Sequence, residues 1–362
     1  MNKGYSLYLD VLRFSAAMVV FFSHVASQDL TNGFLWQTKA YAQTAVMIFF
    51  VMSGYVIGFV THEKETNITD FSVARVSRLW SIVIPALLLT AICDYIGLHF
   101  NADLYRESAW PYPENSQVLH YFLSFFLVQN FWDMNLNPGI NGPFWSLTYE
   151  WVYYILFGLF YFFKSKIKWL FILFIMIISG PTIILLFPIW LLGYALFKFE
   201  LKNKKVFEQS YLKAFISFVA ILLIIIAGPE VREINTNVAW MSRAEIVGDY
   251  FDALMFVIHL YFSPHIINII KPVLFKYEKL IRWSASLTFA LYLFHRPIIQ
   301  LIAALYDGEQ SNMFYRVGMI VITFLIIATI GRWCELKKSS LKIFIHNKLP
   351  LLLSASFKSK GS

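Results

Sequence analysis

The chain has 362 residues, of which 58% are hydrophobic and only 14% are charged. Soluble domains carry about 25% charged and about 45–50% apolar residues, so this composition excludes an ordinary water-soluble domain. The formal net charge is +8, but the basic residues lie scattered between apolar runs, without the basic stripe or motif typical of nucleic-acid binding. We therefore expect lipid to be the solvent and nucleic acid to be no partner.

Ten apolar runs approach the length of about 20 helical residues that crosses a hydrocarbon core about 30 Å thick. They are residues 7–27, 40–60, 79–98, 144–163, 167–180, 181–199, 211–228, 249–270, 285–305 and 314–333. The first run follows Lys3 and could be a signal peptide. Asp10 and Arg13 interrupt it, however, and no small-residue cleavage site follows before Trp36, so we predict a retained helix.

An eleventh apolar segment, residues 118–131, is too short for a full span. If it does not cross and the chain starts inside, the basic clusters around 64–78, 164–168, 198–213 and 271–282 and the tail after 332 all become cytosolic. If it crossed, every later cluster would be exported, against the positive-inside rule. We therefore predict an all-α polytopic membrane protein of about ten transmembrane helices. Residues 118–131 would form a re-entrant or interfacial segment, and both termini would be cytosolic.

Within that topology, residues 1–333 are predicted to form one integral-membrane domain, followed by a basic cytosolic tail over residues 334–362. Cys93 and Cys334 lie far apart without metal-type spacing, so we expect both to be packing residues and expect no metal.

Ionisable side chains inside spans are costly and are functional candidates. Arg13 and His24 are eleven residues apart, which brings them within about 20° of one helix face and about 16 Å apart along the axis. One stripe would then offer a cation towards the cytosol and an imidazole near the outer leaflet. The alternative is that Arg13 pairs with Asp10 while His24 lies at a hydrated helix end.

Arg75 and Arg78 share a face at the cytosolic end of the third span. Because a guanidinium binds phosphate oxygens bidentately, this pair suits a polyphosphate ligand. The alternative is a cytosolic anchor that contacts lipid headgroups.

Glu150 lies about six residues inside the fourth span, at a predicted depth similar to that of His24. A carboxylate beside an imidazole fixes its tautomer, so we expect Glu150 to orient His24. The turn-rich stretch before this span contains Asn141, which would line a sugar site or simply form a loop. In the ninth span, Pro297 frees an upstream carbonyl that a neighbouring donor must satisfy, and a structural role is favoured for His295.

Five motifs occur in order along the chain. They are Leu9-Asp10-x-Leu12-Arg13 with His24 eleven residues after the arginine, Phe49-Phe50-x-x-Ser53-Gly54-Tyr55, Arg75-x-x-Arg78, Trp145-Ser146-Leu147-x-x-Glu150 and Tyr292-Leu293-x-His295-x-Pro297. Together they resemble membrane-bound acyltransferase family three, the O-acetyltransferases of bacterial surface polysaccharides, over nearly the whole chain. Phe14 and Trp80-Ser81 depart from the family's usual glycine and proline, next to the predicted donor-binding arginines.

The resemblance implies transfer of an acetyl group from cytosolic acetyl-CoA to a carbohydrate hydroxyl at the outer face of the bacterial inner membrane. In this scheme Arg13, Arg75 and Arg78 bind the phosphates of acetyl-CoA. His24, oriented by Glu150, is then the general base, or it carries the acyl group in a relay.

The acceptor would be a surface polysaccharide or its lipid-linked precursor, and its candidate ligands, which could also be structural, are Asn141, Trp145, Ser146, Tyr149 and His295. An interfacial aromatic belt would explain Trp145 and Tyr149 almost as well. Two alternatives stay open: transfer of succinyl or another acyl group, and a non-catalytic glycan or solute transporter, which would be expected to show inverted repeats.

Overall fold

The computed structural model describes residues 1–107, 111–203, 208–236 and 241–358, with side-chain surroundings through residue 347. Within these ranges the chain is helical and contains no strand. Lys204 and Lys205 of the predicted cytosolic cluster, and the last four residues of the tail, lie outside the described residues.

Thirteen α-helices follow one another along the described ranges. They are α1 (Lys3–Val25), α2 (Gln28–Thr31), α3 (Ala42–Lys64), α4 (Ile68–Phe100), α5 (Ala102–Arg106), α6 (Gln117–Phe125), α7 (Trp145–Phe162), α8 (Lys168–Ser179), α9 (Pro181–Lys202), α10 (Tyr211–Arg232), α11 (Ile246–Lys276), α12 (Glu278–Ala304) and α13 (Met313–Lys358). Short 3-10 turns precede α3 and α7.

Eight of the helices in the described ranges are long and apolar enough to cross a membrane, namely α1, α3, α4 and α9 to α13. The other two predicted spans are also helical. Helix α7 has 18 residues but carries Glu150 and several tyrosines, which make it less apolar, and α8 has only 12 residues. The prediction of an all-α polytopic membrane protein is confirmed, whereas the placement of both termini in the cytosol stays a prediction.

The segment predicted not to cross contains α6, a helix of nine residues, which is about 14 Å long. Its large apolar side chains Val118, Leu119 and Phe122 are exposed, while His120 and Ser124 are buried. Leu127 then takes a positive φ, where a right-handed helix cannot continue. The segment therefore contains no full span, and its exposed apolar face suits a position beside lipid.

Helix α13 continues without a break through the predicted domain boundary at residue 333. Cys334 is fully buried, and Glu335 and Lys338 line a space shared with residues of α1, α4 and α7. The first turns of the predicted tail are thus packed against the helical bundle rather than separated from it.

Helices α1 and α12 lie side by side and run in the same direction. The amino group of Lys3 pairs with Glu278 at 2.6 Å, and Arg282 pairs with Asp10. Further along, the rings of His24 and His295 meet. We call the end of the bundle that carries Lys3, Glu278 and Arg282 the Lys3 face; His24 and His295 lie towards the opposite end.

Helices α3 and α9 approach until their backbones touch, and two glycines make this possible. A Cβ atom on Gly54 would lie 1.9 Å from the carbonyl oxygen of Trp190, and one on Gly193 would lie 1.9 Å from that of Val51. Small residues are the usual means of close helix packing in membranes. The contact matters for the site because it holds Ser53, next to Gly54, against Trp190.

We expect Gly193→Ala to lower stability by about 1–3 kcal/mol, because the added methyl group forces α3 and α9 apart. The matched control is Gly318→Ala in α13, where a Cβ meets no atom within 4 Å and where alanine favours the helix. Thermal unfolding in detergent measures both, and equal midpoints for the two variants would contradict the proposed contact.

Candidate active site

A cavity of about 290 Å³ opens near the Lys3 face. Among the described residues, seven charged side chains line it, four cationic and three anionic: Arg13, Arg78, Arg282, Lys338, Asp10, Glu150 and Glu335. Further lining residues include Phe49, Ser146 and Tyr292. We call this space the charged cavity.

Two of the three arginines predicted to bind acyl-CoA line the charged cavity, Arg13 on α1 and Arg78 on α4. Arg75 is not among its lining residues. Its guanidinium is buried, donates to Glu65 at 2.8 Å and packs 4.7 Å from the ring centre of Phe71. This buried ion pair links α4 to the end of α3.

Arg282 and Lys338 line the charged cavity although the sequence analysis assigned them no site role. Arg282 donates to Asp10 and, at 2.8 Å, to the hydroxyl of Ser6. In the sequence both belong to cytosolic basic clusters, so their charge was explained by membrane topology alone. Only the packing of α12 and α13 beside α1 and α4 brings them to the cavity.

Glu150 lies in the wall of the charged cavity. Its carboxylate accepts hydrogen bonds from Ser53, at 3.0 Å, and from Tyr154. Ser53 in turn accepts one from the indole of Trp190 at 3.2 Å. Glu150 is thus held among α3, α7 and α9, in the same cavity as Arg13 and Arg78.

The expectation that Glu150 orients His24 therefore needs correction. Asn141, just before α7, contacts the carbonyl of Leu293, two residues before His295 on α12. Glu150 lies further along α7 and lines the charged cavity, on the Lys3 side. The structure places the ring of His295 beside that of His24, with ring centres 5.1 Å apart.

His295 is completely buried on α12. Its Nδ1–H donates to the carbonyl of Leu291 at 2.7 Å, since a carbonyl can only accept. Nδ1 therefore carries the proton, and Nε2 is left as an acceptor with no hydrogen-bond partner among the described residues. The predicted structural role accounts for Nδ1 and leaves Nε2 unexplained.

Asn141 supplies the donor that Pro297 requires. Pro297 cannot donate to the carbonyl of Leu293, one turn earlier, and the side-chain amide of Asn141 donates to that oxygen at 2.9 Å. The same amide also donates to Thr90 on α4 at 2.9 Å. Asn141 thus ties the loop before α7 to α12 and α4, which favours the structural alternative for this residue.

A second cavity, of about 610 Å³, lies at the end of the bundle away from the Lys3 face. In the part of the chain that the structure describes, its lining includes amides, carboxylates, an arginine and aromatic rings: Gln43, Asn130, Asn135, Asn137, Asn235, Asp133, Glu245, Arg243, Trp145 and Tyr149. The guanidinium of Arg243, which Asp249 fixes, lies 5.4 Å from the ring centre of Trp145. We call this space the amide-lined cavity.

Helix α7 separates the two cavities. Ser146 and Glu150, four residues apart, line the charged cavity, whereas Trp145 and Tyr149 line the amide-lined cavity. Residues four apart share a helix face, so adjacent stripes of the first turns of α7 face opposite spaces. The hydroxyls of Ser146 and Tyr292 meet at 2.7 Å, and His295 is the next turn of α12 beyond Tyr292.

Fold and site together define a multi-pass membrane protein with a charged cavity and an amide-lined cavity on either side of one helix. The sequence profile of the acyltransferase domain family matches residues 6–332. The chain therefore belongs to this family of acyltransferase domains. Family membership favours an acyltransferase over the transporter alternative.

Two curated proteins are similar to part of the chain. One is the O-acetyl transferase of Shigella phage Sf6, 28% identical over 41% of this chain and 44% of the phage protein. The other is acyltransferase MdmB of Streptomyces mycarofaciens, 25% identical over 44% of this chain and 40% of that protein. The matched region thus spans less than half the length of each relative. No solved structure is significantly similar to the chain.

We expect Arg75→Gln to destabilise the fold by about 3–5 kcal/mol, because it leaves the buried carboxylate of Glu65 unpaired. Adding Glu65→Gln should recover part of the loss by removing the second charge. The control Arg106→Gln breaks an exposed pair with Glu114 and should cost no more than about 1 kcal/mol. Thermal unfolding measures all three; a stable Arg75→Gln protein with weakened donor binding would instead make Arg75 a ligand.

Proposed function

We propose that the protein transfers an acetyl group from cytosolic acetyl-CoA to a hydroxyl of a surface polysaccharide or of its lipid-linked precursor. It would do so as a multi-pass protein of the bacterial inner membrane, with the Lys3 face towards the cytosol. The observation that carries the proposal is the charged cavity, which runs from a group of cations to a point one helical turn from the histidine pair.

The donor would enter the charged cavity from the Lys3 face. Acetyl-CoA joins a nucleotide with several phosphate charges to a long, narrow pantetheine arm that ends in the acetyl thioester. Guanidinium groups bind phosphates strongly, and Arg13, Arg78 and Arg282 line the charged cavity together with Lys338. Among the described lining residues, the cations exceed the carboxylates by only one. The empty site would therefore be nearly neutral, which limits the cost of its charges inside the membrane.

The acetyl end would reach the hydroxyls of Ser146 and Tyr292. From Tyr292 to His295 is three residues of α12, a rise of about 4.5 Å. A thioester carbonyl at that point could accept a hydrogen bond from Tyr292, the type of contact that stabilises a developing oxyanion.

His24 would act as the general base. It removes the proton of the acceptor hydroxyl while the oxygen attacks the thioester carbonyl, and the tetrahedral intermediate then expels the thiolate, which takes the proton back from His24. The products are the acetyl ester and free CoA thiol. A relay through acetyl-His24 uses the same residue and the same balance.

The acceptor would bind in the amide-lined cavity. Sugars are recognised by amide and carboxylate groups that bond hydroxyls and by aromatic rings that pack on the sugar face. Trp145 and Tyr149 supply the rings, and four asparagines supply amides. Ile140 and Gly142 also line this cavity, while Asn141 between them contacts α12 two residues before His295, so the acceptor and the histidine pair would be close neighbours.

Removing the gene should abolish O-acetyl signals from the surface polysaccharide, as measured by proton NMR and mass spectrometry of the purified polymer. Loss of a succinyl or longer acyl group instead would support an acyltransferase that uses a donor other than acetyl-CoA. An unchanged acyl profile would contradict the proposed acceptor.

The variant His24→Ala should lower acetylation by a factor of about 10²–10⁴, the usual contribution of a general base. The amount of protein in the membrane and its unfolding midpoint should stay close to those of the original. Acetylation at the original rate with alanine at this position would exclude both the general-base scheme and the relay.

Arg78→Gln and Arg282→Gln should each raise the KM for acetyl-CoA about tenfold, since each removes one charge-assisted phosphate contact. Label transfer from radioactive acetyl-CoA into the glycan fraction of membranes measures this. Arg106→Gln, on the other side of the bundle, should leave KM unchanged. Equal KM values for the original protein and all three variants would contradict binding of acetyl-CoA in the charged cavity.

A further inference from the structure

Two buried histidines in the membrane helices have the same tautomer but different surroundings. In His259, Nδ1 donates to the carbonyl of Ser217 at 3.0 Å, and Nε2 accepts from the hydroxyl of Tyr8 at 2.9 Å. Both ring nitrogens of His259 are satisfied, as expected of a structural histidine. His259 is therefore a reference for what packing alone requires.

His295 satisfies only half of that requirement. Nδ1 is fixed by Leu291, but Nε2 is buried without a hydrogen-bond partner among the described residues. A buried acceptor left without a partner costs about 1–3 kcal/mol. If His295 were purely structural, nothing in the fold would offset this cost. The buried acceptor therefore points to a group that Nε2 engages during the reaction.

His24 is placed to be that group. The ring centres lie 5.1 Å apart and the planes are tilted by 34°. An N–H···N bond of about 3 Å between two imidazoles places their ring centres about 5 Å apart. A small rotation of the partly buried ring of His24 would therefore direct an N–H towards Nε2 of His295 without moving either helix.

We propose that His295 is the positioning residue of His24: its Nε2 accepts the N–H of His24 and thereby fixes which nitrogen of His24 faces the acceptor hydroxyl. This inference rests on the proposed function. It gives His295 the orienting role that the sequence analysis assigned to Glu150, which bonds Ser53 and Tyr154 instead.

The side chains next to His295 fit this positioning role. Arg296, next to His295, is 4% exposed, and a guanidinium has no lone pair with which to accept from His24. The ring of Phe21 packs edge-on against His295 at 5.9 Å and limits its rotation. Between Arg296, Phe21 and His295, Nε2 of His295 is therefore the nitrogen that can accept the N–H of His24.

Two substitutions separate the two nitrogens of His295. In His295→Asn, the side-chain amide can still donate to Leu291 as Nδ1 does, but nothing replaces Nε2. In His295→Gln, the longer side chain brings its carbonyl oxygen near the position of Nε2 and gives up the bond to Leu291. If His295 is purely structural, His295→Asn should therefore be more active than His295→Gln. If His295 positions His24, His295→Gln should be the more active variant.

The experiment measures label transfer from radioactive acetyl-CoA into the glycan fraction of membranes, per amount of folded protein. We expect His295→Asn to lower kcat about 100-fold with an unchanged KM for acetyl-CoA, and His295→Gln to retain several-fold more activity than Asn. The matched control His259→Asn removes the corresponding Nε2 contact with Tyr8 and should keep the original kcat.

Original kcat in His295→Asn, or more activity in Asn than in Gln, would overturn the inference and leave His295 a structural residue of α12. If His24→Ala is inactive while His295→Asn is active, the proposed function stands and only the positioning role falls. If His24→Ala is itself active, the proposed base has failed, and that result is independent of His295.

Discussion

The hydrogen bond from Asn141 to the carbonyl of Leu293 is the contact on which the arrangement of the site depends. In lipid, a backbone carbonyl without a donor is costly, so a proline in a membrane helix needs a partner from elsewhere in the protein. Pro297 creates this need on α12, and the buried loop before α7 meets it. The start of α7 is thereby fixed against α12 inside the bundle.

The position of α7 in turn divides the interior. Because its first turns begin in the bundle, one stripe faces the charged cavity and the adjacent stripe faces the amide-lined cavity. In the proposed reaction, the acyl donor and the acceptor would therefore approach from opposite ends of the bundle. The histidine pair then lies where α1 and α12 meet, close to the loop that forms the wall of the amide-lined cavity.

Charge within the bundle serves two purposes that the structure separates. Arg75 with Glu65, and Arg232 with Asp249 and Asp252, are buried pairs that bond helices to one another. Arg13, Arg78 and Arg282 line a cavity, where Arg13 and Arg282 also lie beside the carboxylate of Asp10. Removing one partner of a buried pair strands the other charge, whereas a charge that faces a cavity is available to a ligand.

The sequence by itself determined the solvent, the helical class and most of the spans, because run length and composition depend only on local chemistry and the thickness of a bilayer. It also placed Arg13 and His24 on one stripe, since helical periodicity is local. Tertiary structure alone decided that Arg78 faces the cavity while Arg75 does not, and that His295 rather than Glu150 meets His24. Those outcomes depend on which helices are neighbours and how deep α7 begins, and both are set by contacts between residues far apart in the chain.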